Sequence, residues 1–501
     1  MEGHTFSKVQ ATNQRISPLK PAAFRFIYLL AVLASMGTWF LAYKSPLWLD
    51  ETVSYWGISA GFAQIWKRSV EALYFPTYFY VLWATREMFG SREIVLRIPS
   101  VLAMLAAVFV LYRIARQFFD EDVAWIVCIL FCLHRDVAFA AIDARPYAFA
   151  VLATNLAIYA LILWVRDPKT SLSILLGVLC GFIFYFQYLY AVILPAFLAY
   201  YLLLKGRSIG RELRQIMIVL ASFAMVFLPV VPRLLYMILR RNTYSFTGPP
   251  TIPQFLFGFL PTTATLVWLT AVVAAVGLSK FYLRHLQIPQ PFLLPLLLAV
   301  IPPALLYEIS VHSPIRMFVG RYRLVGVMGM VLLWGVLVAV ISSAPLRLIL
   351  CMVYVPWAIF SYTSSPAAHH HLYSWKAALE YADRIARPDQ APLLICSDLP
   401  QADFEIMPSG PRVDSELFAP LSYYKVSVPV VPLPRALNEQ AESIGRRFVS
   451  GAEARHERFL ALGYRASYPT LRWLMSLTSG TYVVHVLGNF DGVAVIEFDP
   501  R

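Results

Sequence analysis

Charge is scarce in this chain. Charged residues fill 14% of the 501 positions, against roughly 25% in a soluble globular protein. Cysteine is scarce too. Of five, Cys128, Cys132, Cys180 and Cys351 lie in apolar runs and Cys396 stands alone. That spacing excludes a disulfide framework and leaves no CxxC pair for metal or redox chemistry. There is no internal repeat, which argues against the paired halves of a transporter, and no low-complexity linker. No cleavable signal peptide is read either. Polar residues including Lys8, Arg15, Lys20 and Arg25 precede the first apolar run, and no small-residue cleavage site follows it. The net charge of +13 comes without a basic helix or an aromatic-basic motif, so nucleic acid is not an expected partner. Basic loops beside anionic lipids, or around an anionic lipid substrate, account for it.

What is present is apolar sequence in long runs, 59% hydrophobic overall with a mean hydropathy of +0.62. This predicts an α-helical polytopic membrane protein. The runs place spans at 24–43, 94–115, 123–141, 147–165, 172–186, 188–204, 215–232, 259–282, 291–309, 322–341 and 346–362, about eleven in all. Residues 44–93 are too polar and aromatic for a simple span. They read as a large external loop with interfacial helices at Tyr55–Trp66 and Pro76–Phe89. The positive-inside rule puts the N-terminus in the cytoplasm. The odd span count then puts everything after Thr363 outside it. There the charged fraction rises, with a helical run Tyr373–Ala386 and strands at Pro392–Cys396, Val426–Val431, Tyr482–Leu487 and Val493–Phe498. The expected division is a membrane module, 1–362, and a small extracytoplasmic α/β domain, 363–501.

The stretch Lys44-Ser-Pro-Leu-Trp-Leu-Asp50-Glu51 sits where the first span meets water. Trp48 is a depth-fixing interface aromatic on this reading. Two adjacent carboxylates beside low-dielectric material suit a general base, and a solvated turn is the competing reading. The outer face also collects arginine against the positive-inside bias: Arg97, Arg145, Arg240, Arg241, Arg316, Arg321 and Arg323. Bidentate phosphate recognition explains such an excess, as does pairing with outer carboxylates or headgroups. Within the third span, Arg135 and Asp136 of His134-Arg135-Asp136 are expected to neutralise each other. His369, His370 and His371 lack an obvious fourth metal ligand. Tyr185, Phe186, Tyr188 and Tyr190 read as interface anchors or as a sugar-stacking surface.

Taken in order, the Asp50-Glu51 pair, Tyr74-Phe-Pro76-Thr-Tyr78-Phe, Gly90-Ser-Arg-Glu93-Ile-Val-Leu-Arg97-Ile-Pro99-Ser100, Asp143-Ala-Arg145-Pro146-Tyr147-Ala and Gly320-Arg321-Tyr322 resemble one family. It is the polyprenyl-phosphate-dependent glycosyltransferases of the C superfamily, near bacterial relatives of the protein mannosyltransferases and the aminoarabinose transferase of lipid A. The likeness covers about residues 20–340, and the tail from Trp375-Lys-Ala-Ala resembles the extracytoplasmic domain of many relatives. Relatives usually carry His-Pro-Pro where this chain has Tyr74-Phe75-Pro76, which bears on the substrate. Asp-Glu also differs from the D-x-D spacing of metal-dependent oligosaccharyltransferases. The resemblance implies an inverting, metal-independent transfer with no cofactor. The donor would be a polyprenyl-phosphate sugar and the acceptor a glycan, lipid or protein hydroxyl at the outer face of a bacterial inner membrane. Asp50 would be the catalytic base, and Glu51, the second carboxylate of the catalytic pair, would orient the sugar or acceptor or tune Asp50. Arg145 and Arg321, then Arg240 and Arg241, would bind the donor phosphate, and Asp143, Tyr147 and Tyr322 would orient substrate. A flippase or transporter of a lipid-linked or anionic solute, or a pyrophosphate-dependent ligase or polymerase, is the alternative.

Overall fold

A computed structural model describes residues 21–206, 209–239, 248–260, 264–282, 292–313, 316–341, 343–365, 368–369, 372–405 and 413–501. The membrane part opens with α1 (Pro21–Gly37), extended by a short turn to Leu41. Three helices lie in the first loop: α2 (Leu49–Ser59), α3 (Ile65–Glu71) and α4 (Pro76–Phe89). The last has the expected bounds, with Pro76 at its first position, where a missing N–H costs nothing. The first starts earlier than expected because Asp50 and Glu51 fill its opening turn, where carboxylates favour the positive end of the helix dipole.

Then come α5 (Glu93–Ala115), α6 (Glu121–Cys132), α7 (Arg135–Ala141), α8 (Tyr147–Arg166), α9 (Thr170–Phe186), α10 (Leu194–Lys205), α11 (Ile209–Phe227) and α12 (Val231–Leu239). They are followed by α13 (Ile252–Phe257), α14 (Ala264–Tyr282), α15 (Leu293–His312), α16 (Gly320–Ala339) and α17 (Ala344–Thr363). Among the described residues, eight helical segments are long and apolar enough to cross a membrane. The sharply bent pair α6–α7 is apolar enough to cross only if its two helices are taken together, and Thr170–Phe186 and Ala264–Gly277 are shorter apolar helices. Helices are what such runs must form, since lipid offers no partner for backbone polar groups. Leu102, Phe109, Leu198 and Phe360 point outward and are exposed, while Leu111, Ile129, Val151 and Val331 pack inside. Close approach is built in where α9 meets α11: a Cβ on Gly177 would stand 2.3 Å from the Val219 carbonyl oxygen.

The third span departs from expectation. Instead of one straight helix it bends by 73° between α6 and α7. His134 at the break has extended backbone, and its Nδ1 accepts from the Asp136 N–H at 3.2 Å, capping α7.

After α17 the chain builds the small sheet domain: α18 (Lys376–Ala386), β1 (Leu393–Cys396), α19 (Ala402–Glu405), α20 (Ala419–Tyr423), β2 (Val430–Leu433), α21 (Glu439–Arg455), β3 (Phe459–Tyr464), α22 (Tyr468–Leu477), β4 (Tyr482–Phe490) and β5 (Val493–Pro500). The strand order is β2-β1-β3-β5-β4. The β1 strand pairs in parallel with β2 and β3, and β5 runs antiparallel to β3 and β4. The sequence reading missed β3, α21 and α22 and placed β2 four residues early. The domain docks on the first loop: the Leu47 N–H donates to the Tyr424 hydroxyl at 2.7 Å. Leu47, Ile58, Tyr78 and Leu82 share one apolar core with Trp375, Leu379 and Phe418.

Candidate active site

Four chain segments meet around Asp50: the start of α2, the turn before α8, the loop before α4 and the start of α16. The turn is tight. The Arg145 N–H donates to the Asp143 carbonyl at 2.7 Å, and Pro146 then opens α8. This drives Arg145 beneath α2, fully buried, where its Nη1 donates to the Asp50 carbonyl at 3.0 Å and to Ser54 Oγ at 3.2 Å. Its Nη2 stands 3.8 Å from Asp50 Oδ2. Its Nε and Nη2 are buried with no hydrogen-bond partner, an arrangement that is costly until a ligand oxygen arrives. From α16, Arg321 Nη1 donates to the same Asp50 Oδ2. Its guanidinium carbon lies 5.4 Å from the Tyr322 ring centre, 5.8 Å from Trp48 and 5.9 Å from Tyr147. Tyr74 lies under Arg145 at 4.0 Å. Burial raises the Tyr74 phenol's pKa and Asp50 adds to the rise, against the lowering pull of Arg145.

Glu51 has a different environment from its neighbour. Fully buried, it accepts from Arg97 Nε at 2.8 Å and Nη2 at 2.6 Å, from the Ala144 N–H at 2.9 Å and from the Trp48 N–H at 3.3 Å. Arg97 in turn donates to the carbonyls of Tyr43 at 2.7 Å and Ser45 at 2.8 Å. The Glu51–Arg97 pair therefore ties α2, α5, the end of the first span and the 143–146 turn together. A carboxylate with four donors is poorly placed to take a proton and well placed to hold these segments together.

Of the other predicted residues, Asp143 is fully buried and accepts from Trp48 Nε1 at 3.0 Å. Trp48 is thus a buried packing residue rather than an exposed membrane anchor. Tyr147 and Tyr322 pair edge to face at 6.1 Å beside Arg321. Arg240 and Arg241 lie outside the described residues. Arg316 donates to the Ser310 and Val311 carbonyls, closing α15. Arg323 pairs with Asp136 at 3.1 Å, so Asp136 is neutralised from α16 and not by Arg135, which is exposed. Tyr190 neither anchors at the interface nor faces a sugar: buried, it donates to the Arg321 carbonyl at 2.7 Å. His369 contacts the Thr363 carbonyl at 3.0 Å, and His370 and His371 lie outside the described residues. Among the described residues no three His, Cys, Asp or Glu side chains converge as a metal site. Sequence reading missed Ser54 and Tyr74 as a partner of Arg145, and it gave Tyr190 a different role. Of the two missed, only Tyr74 carried a signal, as the place where the family pattern was broken.

A family described as dolichyl-phosphate-mannose-protein mannosyltransferase matches residues 71–236. Across 95% of this chain, the fold matches 98% of ArnT from Cupriavidus metallidurans solved with undecaprenyl phosphate bound, at 11% identity and a TM-score of 0.52. The chain shares the fold of that ArnT structure. The apo form of the same ArnT gives 13% identity and a TM-score of 0.46 over 95% of this chain and 98% of that one. An Archaeoglobus fulgidus oligosaccharyltransferase gives 10% and 0.43 over 92% and 72%. No curated protein sequence matches. A shared fold leaves the reaction, its donor and its acceptor to be argued from the site itself.

Proposed function

We propose that this chain transfers a sugar from a polyprenyl-phosphate donor to an acceptor hydroxyl at the outer face of a bacterial inner membrane, with inversion and without a metal. The observation that carries the reading is the convergence of Arg145 and Arg321 on the one Asp50 carboxylate. An incoming donor phosphate competes with Asp50 for these guanidiniums. Its arrival releases the carboxylate toward the acceptor. Asp50 then takes the acceptor hydroxyl proton as the acceptor oxygen bonds to the anomeric carbon. The bond from that carbon to the phosphate oxygen breaks, and the polyprenyl phosphate leaves with one more negative charge. Preorganised guanidiniums in a buried site are suited to stabilise it. Tyr147 and Tyr322 hold Arg321 and the sugar in place, and Asp143, through Trp48, shapes the pocket wall. Glu51 positions Asp50 through the helix they share.

On this reading the N-terminus is cytoplasmic, the sheet domain is periplasmic, and it forms the roof of the site beside α2. The test is turnover of a panel of undecaprenyl-phosphate sugars by the protein in lipid nanodiscs, followed as release of undecaprenyl phosphate. Arg145→Ala and Arg321→Ala should each raise the donor KM at least tenfold. Unchanged donor kinetics in both would remove the phosphate assignment, and release of a pyrophosphate from a pyrophosphate-linked donor would favour the ligase reading instead.

A further inference from the structure

The break in the third span and the start of α16 lock together, and the lock lies next to Arg321. We propose that Asp136 is a positioning residue for donor binding: paired with Arg323, it fixes the first turn of α16 so that Arg321 faces the phosphate. The proposal rests on the transfer reading above and adds to it a residue remote from the reacting atoms.

Three contacts build the lock. Asp136 Oδ2 accepts from Arg323 Nη2 at 3.1 Å, two residues beyond Arg321. Gly320, one residue before it, lies so close that a Cβ there would stand 2.5 Å from Asp136 Oδ1, so any larger residue would push this carboxylate aside. From the far side, Tyr190 holds the Arg321 carbonyl. Arg323 is itself confined, since a Cβ on Gly258 would meet its Nη1 at 2.6 Å, and its guanidinium carbon lies 5.5 Å from the Phe318 ring centre. Asp136 can occupy this place because α6 stops at the break and His134 caps α7, which turns the Asp136 side chain toward α16.

Asp136 and Arg323 are both largely buried, and a buried ion pair carries a desolvation cost that its attraction only partly repays. A merely structural pair would serve stability alone. A pair flanking the phosphate-binding arginine sets where a long, flexible side chain begins, and a small misplacement of a binding group is felt strongly in the rate.

The test uses the full chain in nanodiscs, with whichever undecaprenyl-phosphate sugar the panel shows to turn over. Asp136→Ala and Arg323→Gln should each raise the donor KM about tenfold while kcat stays within about threefold. The double variant should be no worse than either single, because both remove the same lock. Gly320→Ala should reproduce the KM effect with both charges intact. If Asp136→Ala folds poorly, Gly320→Ala and Arg323→Gln carry the test. An unchanged donor KM, or single effects that add in full in the double variant, overturns the proposal. Arg321→Ala, measured beside them, separates the two readings. If it raises the donor KM and the lock variants do not, only this inference fails. If it does not, Arg321 is no phosphate ligand and this inference fails with that assignment, while Arg145→Ala still decides the phosphate reading.

Discussion

Asp50 and Glu51 are adjacent in sequence and chemically alike, yet they sit in unlike surroundings. Asp50 faces arginines that a ligand can draw away, whereas Glu51 is enclosed by Arg97 and two backbone N–H groups. Removing one partner of a buried pair costs about 3–5 kcal/mol. Glu51→Gln should therefore lower thermal stability markedly in detergent, while the fraction that remains folded keeps its turnover within about tenfold. A collapse in kcat at unchanged melting temperature would move Glu51 into the chemistry. Asp398, just past β1, is a different case. Burial lifts its pKa to about 6, with the Tyr373 hydroxyl and Arg435 pulling it down and Asp50 pushing it up; Tyr373 donates to it at 2.6 Å. A carboxyl that holds its proton more tightly folded than unfolded loses stability as pH rises from about 4 through about 6. Asp398→Asn should thus raise the melting temperature at pH 8, by the equivalent of about 3 kcal/mol, and the gain should vanish near pH 4. A gain that is the same at both pH values would contradict this.

At the scale of elements, the spans were legible because long apolar runs bounded by basic residues admit few other structures in lipid. The bend in the third span was not. It depends on His134 capping α7 and on Arg323 reaching Asp136 from 187 residues away, and no local pattern announces such a partner. β3 escaped for the opposite reason: Phe459–Tyr464 is a short apolar run behind a polar helix, and its strand character comes from lying between β1 and β5. In the first loop, Tyr424 clamps the Leu47 N–H just before α2. Tyr424→Phe leaves that buried donor unsatisfied and should cost about 1–3 kcal/mol, read as a lower melting temperature. No change would mean that the apolar contacts alone dock the sheet domain.

For the whole molecule, the candidate site belongs to no single stretch. Asp50, Arg145 and Arg321 were legible as candidates because arginine expected at the outer face runs against the usual charge bias, and because the ordered motifs resemble one family that would place them in one site. The means of their convergence was not legible, since it depends on α2, α8 and α16 packing around the Glu51–Arg97 pair. The membrane helices bring the charged groups together, and the sheet domain covers the loop that carries Asp50. The most direct measurement is single-turnover release of undecaprenyl phosphate by Asp50→Asn protein in nanodiscs, with donor binding followed in parallel. The account predicts at least a thousandfold slower transfer with donor still bound. Transfer at near wild-type rate by that variant would contradict it.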